Sequence, residues 1–255
     1  MTEFTHLDRL CTVPFHEAED TLRAEVLRRL ADTELFAALA ADPKGDRVEL
    51  MLFDLGGLTA ALASEDAAEL ARLVGGPVAH AAMPGRVLAA TLAAEGRGLL
   101  VNPDRPSQML LDPQTLSWLG QALAQRPAEI AARPTRLGPP DPDAVQQVAE
   151  PLARLLADRG GVLTGAALVA ADWGDGTSGH LLAIAGAADE DRAALAKAVA
   201  ELLAFLPPVP GGLDVAFEPV ALPSGALRLE LSAVEPVTHA ADATSSQDAP
   251  PRLRW

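Results

Sequence analysis

The chain has no tyrosine, only 4% aromatic residues and a single cysteine among 255 residues. Few aromatics leave few platforms on which bases or sugars could stack. One cysteine, Cys11, excludes an intrachain disulfide, so folding does not require an oxidising compartment. Basic residues are also scarce. Lys and Arg number 20 against 35 Asp and Glu, and the formal net charge is −15. Such a chain repels nucleic acid and anionic membrane surfaces, because neither finds clustered cations to replace its counterions. Basic or apolar partners are favoured. No window approaches eighteen uninterrupted apolar residues, and MTEFTHLDRL has acids where a leader would have an apolar core. The expectation is a cytoplasmic protein with no membrane and no nucleic-acid partner.

What is present is a large apolar fraction, 49%, with clear periodicity. Glu17–Leu30 places Leu22, Val26 and Leu30 on one helical face. Gly85–Glu95 does the same with Leu88 and Leu92 and stops at Gly96. Asp112 and Pro113 read as N-cap and first residue of a helix carrying Leu116, Leu119 and Leu123. Between them lie strands. Glu34–Leu39 is a short apolar run. Val48–Phe53 is apolar on both parities beyond Glu49, which predicts a strand covered on both faces. Gly98–Val101 and Gln108–Leu111 flank the turn Asn102-Pro103-Asp104-Arg105-Pro106.

Residues 133–143 carry four prolines, which can neither continue a helix nor enter a central strand. This predicts a linker over 133–142 between a domain at 1–132 and another at 143–236, each folding independently. In the second, Asp143–Arg159 is helical, with Pro151 either kinking the helix or marking its start. Apolar runs at Gly161–Ala171 and His180–Ala187 flank a loop, Asp172–Gly179. Asp189–Asp191 sit where negative charge favours a helix N-terminus. Leu195, Val199, Leu202 and Leu206 follow, and Pro207-Pro208 end that helix. Leu213–Phe217 and Leu227–Leu231 alternate as strands. The order is αββαββ. Residues 237–255 are too small and polar to bury a core, which predicts a disordered tail. The fold class expected is α+β, two small mixed α/β domains, each a sheet covered by helices.

Chemistry-bearing patterns are sparse. His16-Glu17-Ala18-Glu19-Asp20 lacks the second His that a helical zinc site needs. Asp172, Asp175 and His180 fall short of a calcium loop, whose twelfth position would be Ala183. No phosphate loop is present, and Ser64, Ser107 and Ser117 lie outside any nucleophile elbow. Of the five His, His80 sits in an apolar run as a core or edge residue. No catalytic, cofactor or metal residue is expected. Trp173 is the best contact candidate, either exposed with Asp172 and Asp175 toward a basic protein partner or packed inward as core.

The segment Pro84–Leu119 adds a family resemblance. Its Pro84-Gly85-Arg86, Gly96–Leu99, Asn102-Pro103, Pro106-Ser107, Leu111–Pro113 and Trp118-Leu119 fall in order. With LADTELFAAL at 30–39 and LMLFDLGGLTAAL at 50–62, they resemble the N-terminal domain of the SseB (enhanced serine sensitivity) family. The second of these segments is read in that pattern as strand, turn and short helix. Residues 143–236 are similar to the family's C-terminal domain in order of elements and in the run Pro207–Asp214. The resemblance implies no catalytic residues, since the pattern consists of turn and core positions. The family's biochemical role is undefined, and the absence of a catalytic pattern, together with an acidic surface, leads to the expectation of a non-catalytic cytoplasmic interaction or regulatory role. The alternative is a small-molecule sensor or enzyme linked to serine metabolism.

Overall fold

A computed structural model describes residues 4–43, 48–128, 132–157, 163–217 and 220–231. The expected tail at 237–255 lies outside the described residues. The chain forms two α+β domains, as its periodicity predicts.

The first domain runs α1 (His6–Leu10), α2 (Asp20–Asp32), β1 (Glu34–Ala38), β2 (Leu52–Asp54), β3 (Thr59–Ser64), α3 (Ala67–Val74), β4 (His80–Pro84), α4 (Gly85–Ala94), β5 (Gly98–Val101), β6 (Met109–Leu111) and α5 (Pro113–Leu123). The strand order is β4-β1-β3-β5-β6, with β2 also paired to β3. Only β3 and β5 run parallel. Leu35, Ala37, Ala61, Ala63, Leu99, Val101 and Leu111 face one way and pack on Leu30, Leu88, Leu92, Leu116 and Leu119 of the helices. On the opposite face Ala38 and Leu62 meet Leu70 of α3.

Local signals placed several of these elements. The Asp112 side chain accepts from the Thr115 N–H at 2.7 Å, ahead of Pro113. Gly85 follows β4 directly, and its backbone lies so close to α2 that a Cβ would sit 2.0 Å from the Leu30 carbonyl oxygen. Gly98 opens β5, where a Cβ would come within 2.9 Å of the Leu111 carbonyl oxygen.

Four expectations need correction, the last of them in the second domain's first strand. Val48–Phe53 is not a strand covered on both faces. Only Leu52–Asp54 forms β2, and Val48 and Leu52 are exposed. Residues 49–54 pair with the end of β1 and the start of β3, at the margin of the sheet. Thr59–Ser64 is not a turn with a short helix but the central strand. Alanine favours helix in isolation, yet small side chains suit a strand covered on both faces, and tertiary burial decides. The hairpin loop read at Asp172–Gly179 is shorter, because Asp172 and Trp173 end one strand and Ser178 and Gly179 start the next.

The second domain comprises β7 (Pro134–Gly138), α6 (Pro142–Ala157), β8 (Gly165–Trp173), β9 (Ser178–Ala185), α7 (Asp189–Ala204), β10 (Leu213–Ala216) and β11 (Leu227–Leu229). The sheet order is β10-β9-β8-β11, with β10 parallel to β9. The αββαββ order is therefore present, preceded by β7. That strand comes from the proline-rich stretch read as a linker. It pairs with β8 at the sheet edge, where proline is tolerated. Pro151 lies inside α6, which starts at Pro142. Both helices cover one face through Val148, Leu152, Leu195, Val199 and Leu202. On the other face Val169, Ala171 and Leu181 pack against Leu137, Val220, Leu222 and Ala226.

The helices of the two domains meet each other. Arg154 of α6 pairs with Glu25 of α2 at 3.1 Å, and Arg86 of α4 with Glu201 of α7 at 3.4 Å. Trp118 of α5 meets Phe205, the residue that caps α7.

Candidate functional site

The hairpin between β8 and β9 holds the three residues singled out as a contact site. Trp173 is half-buried and packs beside Val169, Ala171 and Leu181. Its N–H donates to the Thr177 carbonyl at 2.9 Å, closing the turn. The Asp172 carboxylate accepts from the Ser178 hydroxyl at 2.6 Å across the base of the hairpin. Asp175 at the tip is exposed. Its carboxylate accepts from both the N–H and the hydroxyl of Thr177, and these bonds hold it below the usual carboxylate range. The three residues thus share one hairpin, with the indole directed partly into the apolar layer and the tip open to solvent.

A second polar constellation was not visible in the sequence. It lies at the carboxyl ends of the parallel strands β3 and β5, where open α/β sheets commonly bind ligands. Here the protein's own side chains fill that place. Asn102 takes φ +45°, a left-handed conformation that asparagine tolerates. Its side-chain oxygen accepts from the Glu65 N–H at 3.0 Å. Its amide group donates to the Glu65 carboxylate at 2.8 Å and to the Ser107 hydroxyl at 2.9 Å. Ser107 in turn donates to Asp8 from its hydroxyl at 2.6 Å and its N–H at 3.1 Å. The other Asp8 oxygen receives the Arg105 guanidinium, with Nε at 2.9 Å, and the Thr5 N–H at 3.0 Å. Asp8, Asn102 and Ser107 are all buried.

Burial pushes the Asp8 carboxyl up. The hydrogen bonds from Arg105, Ser107 and Thr5 outweigh it and hold the group well below the usual carboxylate range. Asp8 is therefore a fixed anion with both oxygens engaged, unsuited to accept a substrate proton. Ser107 donates to a carboxylate and not to an imidazole, so the pair does not form a nucleophile–base relay. The cluster ties α1, the end of β3 and the turn after β5 into one knot. Sequence reasoning placed Asn102, Arg105 and Pro106 in a turn and Ser107 beside it, but gave Arg105 no partner and missed Asp8 and Glu65. The Thr5–Asp8 capping box was the one local signal, since each side chain accepts from the other's N–H.

The remaining candidates stand apart. Burial, then the charges of Asp8 and Glu65, push the Cys11 thiol up to about 11, so it is a neutral thiol at pH 7. His16 and Glu17 form an exposed pair at 3.4 Å. His80 lies exposed on the edge strand β4, its ring edge-on to Phe36 at 5.4 Å. His180 is buried and accepts the Asp141 N–H at Nε2, 3.3 Å away. Among the described residues no group of three or more His, Cys, Asp or Glu could hold a metal ion. Among them too, no helix is long and apolar enough to cross a membrane.

Residues 14–118 match the family model described as SseB protein N-terminal domain. The first domain is an SseB N-terminal domain. No curated protein and no solved structure matches the chain. Within the SseB domain the matched span takes in Glu65, Asn102, Arg105 and Ser107, while Asp8 precedes it. The Pro-Gly-Arg signature of this domain is a packing device. Pro84 ends β4, Gly85 allows the backbone contact with α2, and Arg86 pairs with Asp32.

Proposed function

We propose that this chain is a non-catalytic cytoplasmic binding or regulatory protein whose SseB N-terminal domain presents the partner surface. One observation carries the reading. The large apolar side chains that stand exposed among the described residues are Phe4, Val13, Val48, Leu52, Leu55, Val87, Leu110 and Trp118. All lie in the first domain. Exposed leucine, valine and tryptophan in an acidic protein suit a partner that buries apolar groups and carries basic ones at its rim. The net charge of −15 would raise the association rate with such a partner at low salt.

The β8–β9 hairpin is a second contact surface in this reading. Asp175 at its tip supplies charge, and the exposed edge of Trp173 supplies area.

The test is a capture experiment with the full chain, paired with a thermal-shift screen of amino acids and nucleotides. A single stoichiometric protein partner, lost in Leu52→Asp or Leu110→Asp at unchanged melting temperature, supports the proposal. A saturable small-molecule shift with no protein partner overturns it, because a ligand at 100 times its Kd adds about 2.7 kcal/mol of stability.

A further inference from the structure

We infer that Phe205 clamps the two domains into one cooperative body. Phe205 follows α7 and so belongs to the second domain by chain order. Yet it is only 6% exposed and sits in the core of the first domain, among the side chains of α2, α4 and α5. Its neighbour Ala204 packs against the same core. The Trp118 ring meets the Phe205 ring edge-on, with centroids 5.3 Å apart and planes at 88°. This is the favourable arrangement for two quadrupoles.

The helix pattern explains how one residue changes sides. Leu195, Val199 and Leu202 of α7 point to the second sheet. The helix stops at Ala204, and Phe205, its cap in right-handed helical geometry, lies to the side of that stripe and joins the first core, while Leu203 and Leu206 stay with the second. Ion pairs also join helices of the two domains. Arg86 bridges Asp32 and Glu201, Lys197 also reaches Glu201, and Arg154 reaches Glu25. These charges are partly exposed and salt-screened, so they align the helices while the buried ring supplies the coupling.

Two domains that bury a shared side chain unfold together, because opening one leaves an apolar cavity and a bared ring in the other. The full chain should therefore melt in a single calorimetric transition. Hydrogen exchange should show Leu99–Val101 of β5 and Leu181–Ile184 of β9 opening as one unit. Phe205→Ala should split the melt into two transitions and separate the two exchange groups. Phe205→Leu, which keeps an apolar side chain, should retain one transition at a lower temperature. Sodium chloride at 0.5 M should not split the wild-type melt. Two separate transitions in the wild type would overturn the inference. So would a Phe205→Ala chain that melts as one unit at the wild-type temperature.

Discussion

Asp8 and Arg105 are 97 positions apart in the chain, yet the Arg105 Nε–H donates to the Asp8 carboxylate at 2.9 Å, with both side chains nearly inaccessible to solvent. The pair anchors the first helix to the turn that carries the SseB signature. Asp8→Ala takes from the buried Arg105 guanidinium its Asp8 carboxylate and from the Ser107 hydroxyl and the Ser107 and Thr5 N–H groups their acceptor. Asp8→Ala should lower unfolding free energy by about 3–5 kcal/mol, measured by urea titration. A loss below 1 kcal/mol would show that α1 is dispensable.

The same pair predicts acid sensitivity. Asp8 is held below its ordinary value in the folded chain, so its charged form stabilises the fold at neutral pH. That contribution is intact above the unfolded-state value of about 4 and is lost progressively as pH falls below it. A melting-temperature series from pH 7 to pH 2.5 should fall more steeply for the wild type than for Asp8→Ala. Parallel curves would remove Asp8 as the cause.

Asn102 meets three demands that no other residue type meets together: a left-handed backbone, one side-chain acceptor and a double donor. Asn102→Ala leaves Ser107 and Glu65 short of a donor and strains the backbone. It should cost about 2–4 kcal/mol, combining an unsatisfied buried group with a left-handed non-glycine conformation. Asn102→Gly keeps the backbone and loses only the bonds, so it should be the milder change. Equal losses would mean that the φ angle contributes nothing.

Gly85 and Gly98 are close-approach positions. Gly85→Ala would place a methyl 2.0 Å from the Leu30 carbonyl oxygen, on backbone that cannot rotate away. At Gly98 the obstacle is the Leu111 carbonyl oxygen at 2.9 Å with the Leu58 side chain beside it. Overpacking of this kind costs about 1–3 kcal/mol or more. Gly85→Ala should exceed Gly98→Ala, since the first contact is entirely with backbone. The reverse order in denaturant midpoints would contradict the close crossing of α2 and α4.

Elements with a local cause were readable from the chain. Leu88 and Leu92 before Gly96, Asp112 before Pro113, and the alternation at Leu227–Leu229 each rest on one helix cap or one period. Thr59–Ser64 was not readable, because an alanine run becomes a strand only when layers on both faces close over it. Pro134–Gly138 was not readable as β7, because its proline is acceptable only at an edge that the fold creates. Asp8 with Arg105, and Phe205 with Trp118, are pairings across long stretches of chain that no spacing rule records. The candidate contact at Trp173 was legible as an aromatic beside a turn. Its division between apolar layer and solvent was not.

That division sets what Trp173→Ala can report. The indole packs beside Leu181 and Val169 but is only half-buried. Truncation should cost about 1–3 kcal/mol, less than the 3–5 typical of a fully buried Trp. A fall in melting temperature is therefore expected, and loss of partner capture in that variant would mix two causes. Asp175 separates them. It is exposed at the tip, and its bonds are to Thr177 alone. Asp175→Lys loses the two exposed bonds from Thr177, so its melting temperature should fall less than that of Trp173→Ala, while the local charge is reversed. If the hairpin meets a basic partner, the association rate should fall several-fold at low salt and converge with the wild type at high salt, because rim charges act mainly on encounter. An association rate independent of this substitution at every salt concentration would remove the hairpin from the contact surface and leave the exposed apolar residues of the SseB domain as the remaining candidates.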